Sequence, residues 1–327
     1  MKQIVRWGIL GPGSISGAFA AGLKEAEGAE LVAVGSRSHE RAEKFAAQYG
    51  APNVHGTYEA LASDPEVDAV YIGTPHSFHE EHTILSLRQG KHVLCEKPFA
   101  INAEQARRMI RCARDEDRLL MEAMWTRFLP AIELVKEVVN SGRIGTPRTL
   151  MTDFGFRAEF DPSSRLFDPL LGGGTLLDLG IYPISLAYWL FGRPVDIRAM
   201  ANLGETGVDE EASFLLRHGE GQMTAAVTSF RVDTPREAMI RGTEGWIRIH
   251  EPWWAGKCVT IGSKDGDIET IDLPFRGGGY TYEAEAFMDL IRGGESESKV
   301  MPLAESLAIM ETMDTIRDQW DLIYPME

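Results

Sequence analysis

An apolar run at residues 3–10, QIVRWGIL, ends directly on Gly11-Pro12-Gly13-Ser14-Ile15-Ser16-Gly17 and passes into small, helix-compatible residues at 18–26. Strand, glycine turn and helix form the local order in which a glycine fingerprint acquires structural meaning, because the turn lets a pyrophosphate approach the backbone at a helix N-terminus. Gly11 and Gly13 fill the first two glycine positions. Ser16 stands at the third, where Gly or Ala is usual for close packing of helix on strand. Alone, the motif is also compatible with an ordinary strand-turn-helix connection, and the following segments favour dinucleotide binding.

A second strand at 30–35 (ELVAVG) ends in Ser36-Arg37-Ser38, about 20 residues past the glycines, where an acidic residue would bind a ribose 2′-hydroxyl. No carboxylate stands there. Arg37 can instead fork onto a 2′-phosphate, with Ser36, Ser38 and Arg41 as further donors, so NADP(H) is expected over NAD(H). The alternative at this point is a helix N-cap by Ser38 beside a solvated Arg37. Helical segments at 40–48, 58–62, 80–89 and 104–115 alternate with strands at 67–72, 91–95 and 119–122. That alternation predicts an α/β fold, a doubly wound parallel sheet with ligands at the carboxyl ends of its strands. One rim then gathers Gly11, Gly13, Ser36, Arg37, Thr74, Pro75, His76, Glu96 and Lys97 as the cofactor site, with Ser14, Ile15, Ser38, Arg41 and His79 beside them.

Lys97 lies between Glu96 and Pro98 at the end of the strand that HVLC begins, so it is placed at the floor of a cleft. A lysine ammonium there donates hydrogen bonds and responds readily to its neighbours; the plainer alternative is a surface lysine paired with Glu96. His76, His79 and His82 recur every third residue, which spreads them over almost a full helical turn, and no metal site is expected of them.

A chain of 327 residues exceeds the usual size of a single core, and 44% hydrophobic with 25% charged residues is ordinary for a folded protein. Two domains are expected, at 1–123 and 124–327. A net charge of -16 with no basic run argues against a nucleic-acid surface. No uninterrupted apolar stretch approaches the ~20 residues of a membrane span, and three scattered cysteines suit a reducing, cytoplasmic setting. From 130 onward the pattern changes: a helix at 130–141, then strands at 147–156, 196–203, 211–218, 222–232, 238–242, 246–251, 257–262 and 268–273, and a last helix at 303–324. This predicts a large, mainly antiparallel open sheet in the second domain.

Between the first two of those strands, Gly172-Gly173-Gly174 reads as a flexible entry to a helix beginning near Thr175. Asp178 and Tyr182 share a face of that helix at i and i+4. Gly180 inside it costs about 1 kcal/mol against Ala unless something packs closely there. Asp178 and Tyr182 supply a carboxylate and a proton-transferring hydroxyl, or alternatively Asp178 simply satisfies a buried tyrosine.

The segments GILGPGSIS, SRSHERA, GTPHSFH, CEKP and GGGTLLDLGIYP, in this order and spanning most of the chain, resemble the glucose-fructose oxidoreductase and inositol dehydrogenase (Gfo/Idh/MocA) family. Within it the chain is most similar to the NADP-dependent dimeric dihydrodiol dehydrogenases and D-xylose 1-dehydrogenases. Many relatives carry His where Tyr182 stands, and that difference points to this branch. The resemblance implies a Rossmann domain, a second domain whose open sheet pairs subunits into a homodimer or higher homo-oligomer, and a small sugar or diol substrate between the domains. It also implies Lys97 and Tyr182 as the catalytic pair, with Asp178 orienting. Its aromatic substrate pocket maps onto Trp125, Phe154 and Trp254, with Phe275 or Tyr280 at an ambiguous loop. Arg127, Phe156 and Arg165 are further substrate candidates.

Three functions compete on this reading: an NADP-dependent sugar or diol dehydrogenase, an NADPH-dependent keto-sugar reductase or glucose-fructose-type oxidoreductase, and a non-catalytic NADP(H)-binding regulator.

Overall fold

The computed structural model describes residues 2–327. In chain order it contains β1 (Val5–Leu10), α1 (Ser14–Leu23), β2 (Ala29–Gly35), α2 (His39–Tyr49), β3 (Asn53–His55), α3 (Tyr58–Ala62), β4 (Ala69–Ile72), α4 (His79–Arg88), β5 (His92–Glu96), α5 (Ala103–Asp115) and β6 (Leu120–Ala123). There follow α6 (Pro130–Asn140), β7 (Pro147–Gly155), α7 (Ile181–Phe191), β8 (Pro194–Leu203), β9 (Asp209–His218), β10 (Met223–Ser229), β11 (Ala238–Gly242), β12 (Gly245–Ile249), β13 (Cys258–Ser263), β14 (Ile268–Asp272), α8 (Tyr280–Gly293) and α9 (Leu303–Asp318).

Two compact units result: one through Trp125 together with Arg276–Leu307, the other Thr126–Phe275 with Ala308–Glu327. The sequence reading assigned all of 124–327 to the second domain, but residues 276–307 group with the first. The reason is α8, an element that reading did not assign. Its Thr281 hydroxyl donates to the Gly22 carbonyl of α1 at 2.8 Å, and Phe287 meets the Trp7 ring of β1 at 5.4 Å.

The first unit holds a six-stranded parallel sheet in the order β3-β2-β1-β4-β5-β6, so the order reverses between β1 and β4 and the carboxyl ends there form a ligand crevice. The strands β4 and β6 are buried throughout, as expected for a parallel sheet covered on both faces. Side-chain caps start α2, α3 and α5: Ser38 accepts from Arg41 N, Thr57 from Ala60 N and Asn102 from Gln105 N.

The second unit holds an eight-stranded sheet in the order β14-β13-β12-β11-β7-β10-β9-β8. All its pairings are antiparallel except β7 with β10. Period-two alternation sends Leu150, Phe214, Leu216, Ile240 and Ile247 into the core. The other face keeps Met151, Met200, Leu215 and Val227 exposed, at 58%, 78%, 49% and 45%. One helical run, Pro169–Phe191, is long and apolar enough to cross a membrane by composition, whereas the sequence pattern predicts no stretch approaching that length. Its most apolar window is 89% buried within the protein.

Candidate active site

In the first unit, Gly11 has φ +89°, and a Cβ there would stand 2.7 Å from Thr74 Cγ2. Only glycine fits this turn. Ser16 does the work of the third glycine differently. Its buried hydroxyl donates to the Gly11 carbonyl at 2.6 Å and fixes the turn from within. Gly13 begins α1 without a side-chain cap, so the N–H groups of the first turn, at exposed Ser14 and half-buried Ile15, have no competing side-chain oxygen from the cap. Such a turn fits a dinucleotide pyrophosphate.

At the end of β2, Ser36 accepts from Ser38 N at 3.1 Å, and the Ser38 hydroxyl caps α2. Ser38 therefore does what the alternative reading gave it. Arg37 is exposed, with its guanidinium 5.5 Å from the Phe78 ring centroid, on the wall of a cavity of about 420 Å³ that Tyr58, Pro75 and His82 also line. Arg41 is exposed on the first turn of α2.

The loops after β4 and β5 are tied together by a residue expected on the cofactor rim. His79 is fully buried, with Nδ1 2.7 Å from the Pro98 carbonyl and Nε2 2.9 Å from the Thr74 carbonyl. Burial lowers its pKa to about 4, so the neutral ring donates to one of these carbonyls at a time. His79 thus holds Thr74 and Pro98 and presents no ring nitrogen to a ligand. His82 is also held to a pKa of about 4, chiefly by burial, and its Nδ1 pairs with the Thr74 hydroxyl at 3.0 Å. His76 is buried and meets the His79 ring edge-on at 5.7 Å. Among the described residues, no group of three His, Cys, Asp or Glu is placed to hold a metal ion.

Glu96, the last residue of β5, is 4% exposed. It accepts from the Tyr71 hydroxyl on one oxygen and, at 3.1 Å, from the Lys97 backbone N–H on the other. Both of its carboxylate oxygens thus have donors inside the protein. Lys97 is half-buried and is followed by a cis bond to Pro98. Trp125 stacks on Tyr280 at 4.7 Å within this same unit.

In the second unit the glycine triplet is packed, which corrects its reading as a flexible entry. Gly174 has φ +113°, and a Cβ there would fall 2.3 Å from Asp209 Oδ1. Tyr324 donates to the Gly173 carbonyl at 2.6 Å, and Gly174 N–H donates to the Leu166 carbonyl at 2.8 Å. Asp209, which the sequence offers no signal to find, accepts from the Thr175 hydroxyl and Leu176 N–H, both at 2.7 Å, and so caps the following helix. Burial pushes its pKa up to about 7. Replacing Gly174 with Ala should strain the backbone and displace this cap. The expected loss is about 3 kcal/mol in urea unfolding, and an unchanged midpoint would contradict the packing account.

The capped helix opens as a π-helical turn, Leu176–Gly180, before α7; such turns are frequent at functional sites. Close packing at Gly180 comes from Leu176 Cδ1, 3.1 Å from a Cβ placed there. Asp178 is 5% exposed, and Arg165 pairs with it at 3.1 Å. Tyr182 is 7% exposed. Its ring lies 5.4 Å from Phe154 and 6.5 Å from Trp254, which stack on each other at 3.3 Å. Phe156 lies 6.5 Å from Phe154 and 5.5 Å from Phe230.

Two other expected substrate residues have partners of their own. Arg127 is 2% exposed, donates to the Ser185 hydroxyl and carbonyl at 2.8 and 2.9 Å, and so braces α7 from inside. Phe275 lies under the Lys257 ammonium at 4.6 Å.

Residues 5–124 match the family described as "Oxidoreductase family, NAD-binding Rossmann fold", and residues 132–248 match the "GFO/IDH/MocA C-terminal domain". Trans-1,2-dihydrobenzene-1,2-diol dehydrogenases from Mus musculus and Homo sapiens are each 36% identical to this chain, with 99% of both chains covered. Among solved structures, the 3-ketoreductase from Actinomadura kijaniata in complex with NADP and TDP-benzene aligns with a TM-score of 0.87 at 27% identity, over 97% of this chain and 98% of the other. Aldose-aldose oxidoreductase from Caulobacter crescentus aligns with a TM-score of 0.87 at 26% identity, over 97% of both chains. With a glycine turn that fits a dinucleotide in one unit and these full-length likenesses, the chain is an oxidoreductase of the Gfo/Idh/MocA family.

Proposed function

We propose that the chain is an NADP(H)-dependent dehydrogenase that oxidises a secondary alcohol of a cyclic diol or a sugar such as D-xylose. The observation that carries this reading is the Tyr182 ring set beside the Phe154–Trp254 stack, on a chain 36% identical to dihydrodiol dehydrogenases. A flat aromatic surface receives the apolar face of a ring, and a phenol beside it can take the proton of a ring hydroxyl.

The nicotinamide, when bound, supplies hydride acceptance from the carbinol carbon. Gly11, Gly13, Ser14 and Ile15 would hold its pyrophosphate, and Ser36, Arg37 and Arg41 would take the adenosine 2′-phosphate, with Thr74, Pro75 and His76 along the same rim. Tyr182 Oη takes the alcohol proton. A tyrosine is ordinarily protonated at neutral pH, so this step needs a cation, and we assign that charge to Lys97. Asp178, held by Arg165, orients the substrate hydroxyl. Trp125 and Phe156 add apolar contacts. Deuterium placed on the carbinol carbon should appear at C4 of the reduced nicotinamide; reduction without label transfer would contradict direct hydride transfer.

The reverse direction is the second reading, favoured by the likeness to an NADP-bound 3-ketoreductase. NADPH consumption with keto sugars, exceeding the rate of alcohol oxidation, would select it.

We further propose a homodimer through the exposed face of the second unit's sheet. One cross-strand row, Met239, Met151, Ala225, Leu215 and Arg198, runs across five strands, and this face borders a trough of about 880 Å³ that is mostly apolar. Exposed apolar rows of this extent mark interfaces. The double variant Met200→Glu, Leu215→Glu should sediment as monomer where the parent sediments as dimer; an unchanged mass would remove this face from the assembly. The free cysteines Cys95, Cys112 and Cys258 support a reducing, cytoplasmic location.

A further inference from the structure

Beneath the β5 end that leads into Lys97, the first unit buries three acidic side chains from three elements: Tyr71 of β4, Glu96 of β5 and Glu283 of α8. The Tyr71 ring stacks on Phe19 at 3.9 Å, which fixes where its hydroxyl points. Both Glu96 oxygens have donors, the Tyr71 O–H on one and the Lys97 N–H on the other. Glu283 differs. It is fully buried, and neither of its carboxyl oxygens has a hydrogen-bond partner.

We propose that Glu283 is kept as a neutral carboxylic acid and serves as a positioning residue, leaving Glu96 the single anion of the buried cluster next to Lys97. An ionised carboxylate without donors in a dry interior is costly. Two carboxylates sharing such a site cannot both ionise near neutral pH, so the proton goes to the one that lacks donors. Burial first, and then the Glu96 charge, hold Glu283 well above the usual carboxylate range. The groups that face it support the assignment. Tyr71 is itself held well above its ordinary value by burial and by both carboxylates, so it keeps its proton. Among the described residues, Tyr280 of α8 also acts on Tyr71, Cys95 of β5 feels both Glu96 and Glu122 of β6, Lys97 follows Glu96 directly, and α1, packed on α8, carries no titratable side chain. The charge that acts on Glu283 is the like charge of Glu96.

The sign of the pH effect follows from linkage. Glu283 loses its proton near pH 4.3 in the unfolded chain and keeps it in the folded protein to higher pH. Native stability from this group is therefore progressively lost as pH rises from that value toward its folded pKa. Glu283→Gln keeps the shape and cannot ionise. Its Tm should exceed that of the parent, by a margin that grows between pH 6 and pH 8. In infrared spectra at pH 8, a protonated carboxyl C=O band that moves on ¹³C-glutamate labelling should be present in the parent and absent from Glu283→Gln. The label separates it from Asp209. In turnover, the alkaline limb of kcat/KM should shift to higher pH in the variant.

A margin in Tm that does not change with pH would overturn the proposal, as would the absence of the labelled band from the parent. The infrared measurement on the parent decides the matter even if the variant folds poorly. The turnover arm rests on the dehydrogenase reading and the other two do not. If no alcohol is oxidised while the band and the pH-dependent Tm margin appear, the proposed activity fails and Glu283 stands. If turnover is found without the band, Glu283 fails alone.

Discussion

Replacing Tyr182 with Phe should slow alcohol oxidation by roughly 10²–10⁴-fold, the usual contribution of a positioned acid–base group, while an NADPH titration stays where it was. The substitution is well matched to the question. The Tyr182 ring packs against Phe154 and Trp254, and Phe retains that packing and loses only the hydroxyl. A slow variant that still binds cofactor has therefore lost chemistry and not its fold. On the proposed pairing Lys97→Met should cause a loss of similar size, because a phenol without a cation to favour its phenolate is ordinarily protonated at neutral pH. The two losses should not add in the double variant, since each removes the same proton transfer. Additive losses would mean that the two residues act in separate steps.

The second large effect is expected at Arg37. Arg37→Asp should raise the Kd for NADP by on the order of 100-fold, about 3 kcal/mol, and change the Kd for NAD little. Ser36 lends its hydroxyl to Ser38 N, and Ser38 lends its own to the α2 cap. Arg37, exposed and resting on Phe78, is then the group at the end of β2 with the charge to read a 2′-phosphate. Equal loss of both cofactors would show that Arg37 supports the loop and does not discriminate.

Much of this could be read from the chain, for reasons that differ between its halves. Parallel strands buried on both faces write themselves as short apolar runs, and each one ends at a residue type with a chemical meaning: glycine after β1, Ser-Arg-Ser after β2, Glu-Lys-Pro at β5. Strand β3 escaped because Asn53, Val54 and His55 at a sheet edge carry one apolar residue among them. Helix α8 escaped because its start follows three glycines, which in sequence look like a loop.

Glycine was also the source of the misreading at 172–174. Freedom of the backbone and lack of room for a Cβ give the same letter, and only the position of Asp209 separates them. Arg127 and His79 illustrate a second limit. A charged or titratable residue beside a site motif reads as a ligand contact, whereas their hydrogen-bonding groups are engaged inside the protein, with Ser185 and with two backbone carbonyls. Glu283 left no trace in the sequence, where it is one acidic residue in the amphipathic run YTYEAEAF.

The most direct test of the dehydrogenase reading is the appearance of reduced nicotinamide absorbance when the protein is mixed with NADP, and separately with NAD, against a cyclic trans-diol, D-xylose, D-glucose and a panel of polyols. Reduction of NADP well above NAD by a cyclic diol or D-xylose is the predicted result. Cofactor binding without oxidation of any of these alcohols would contradict it.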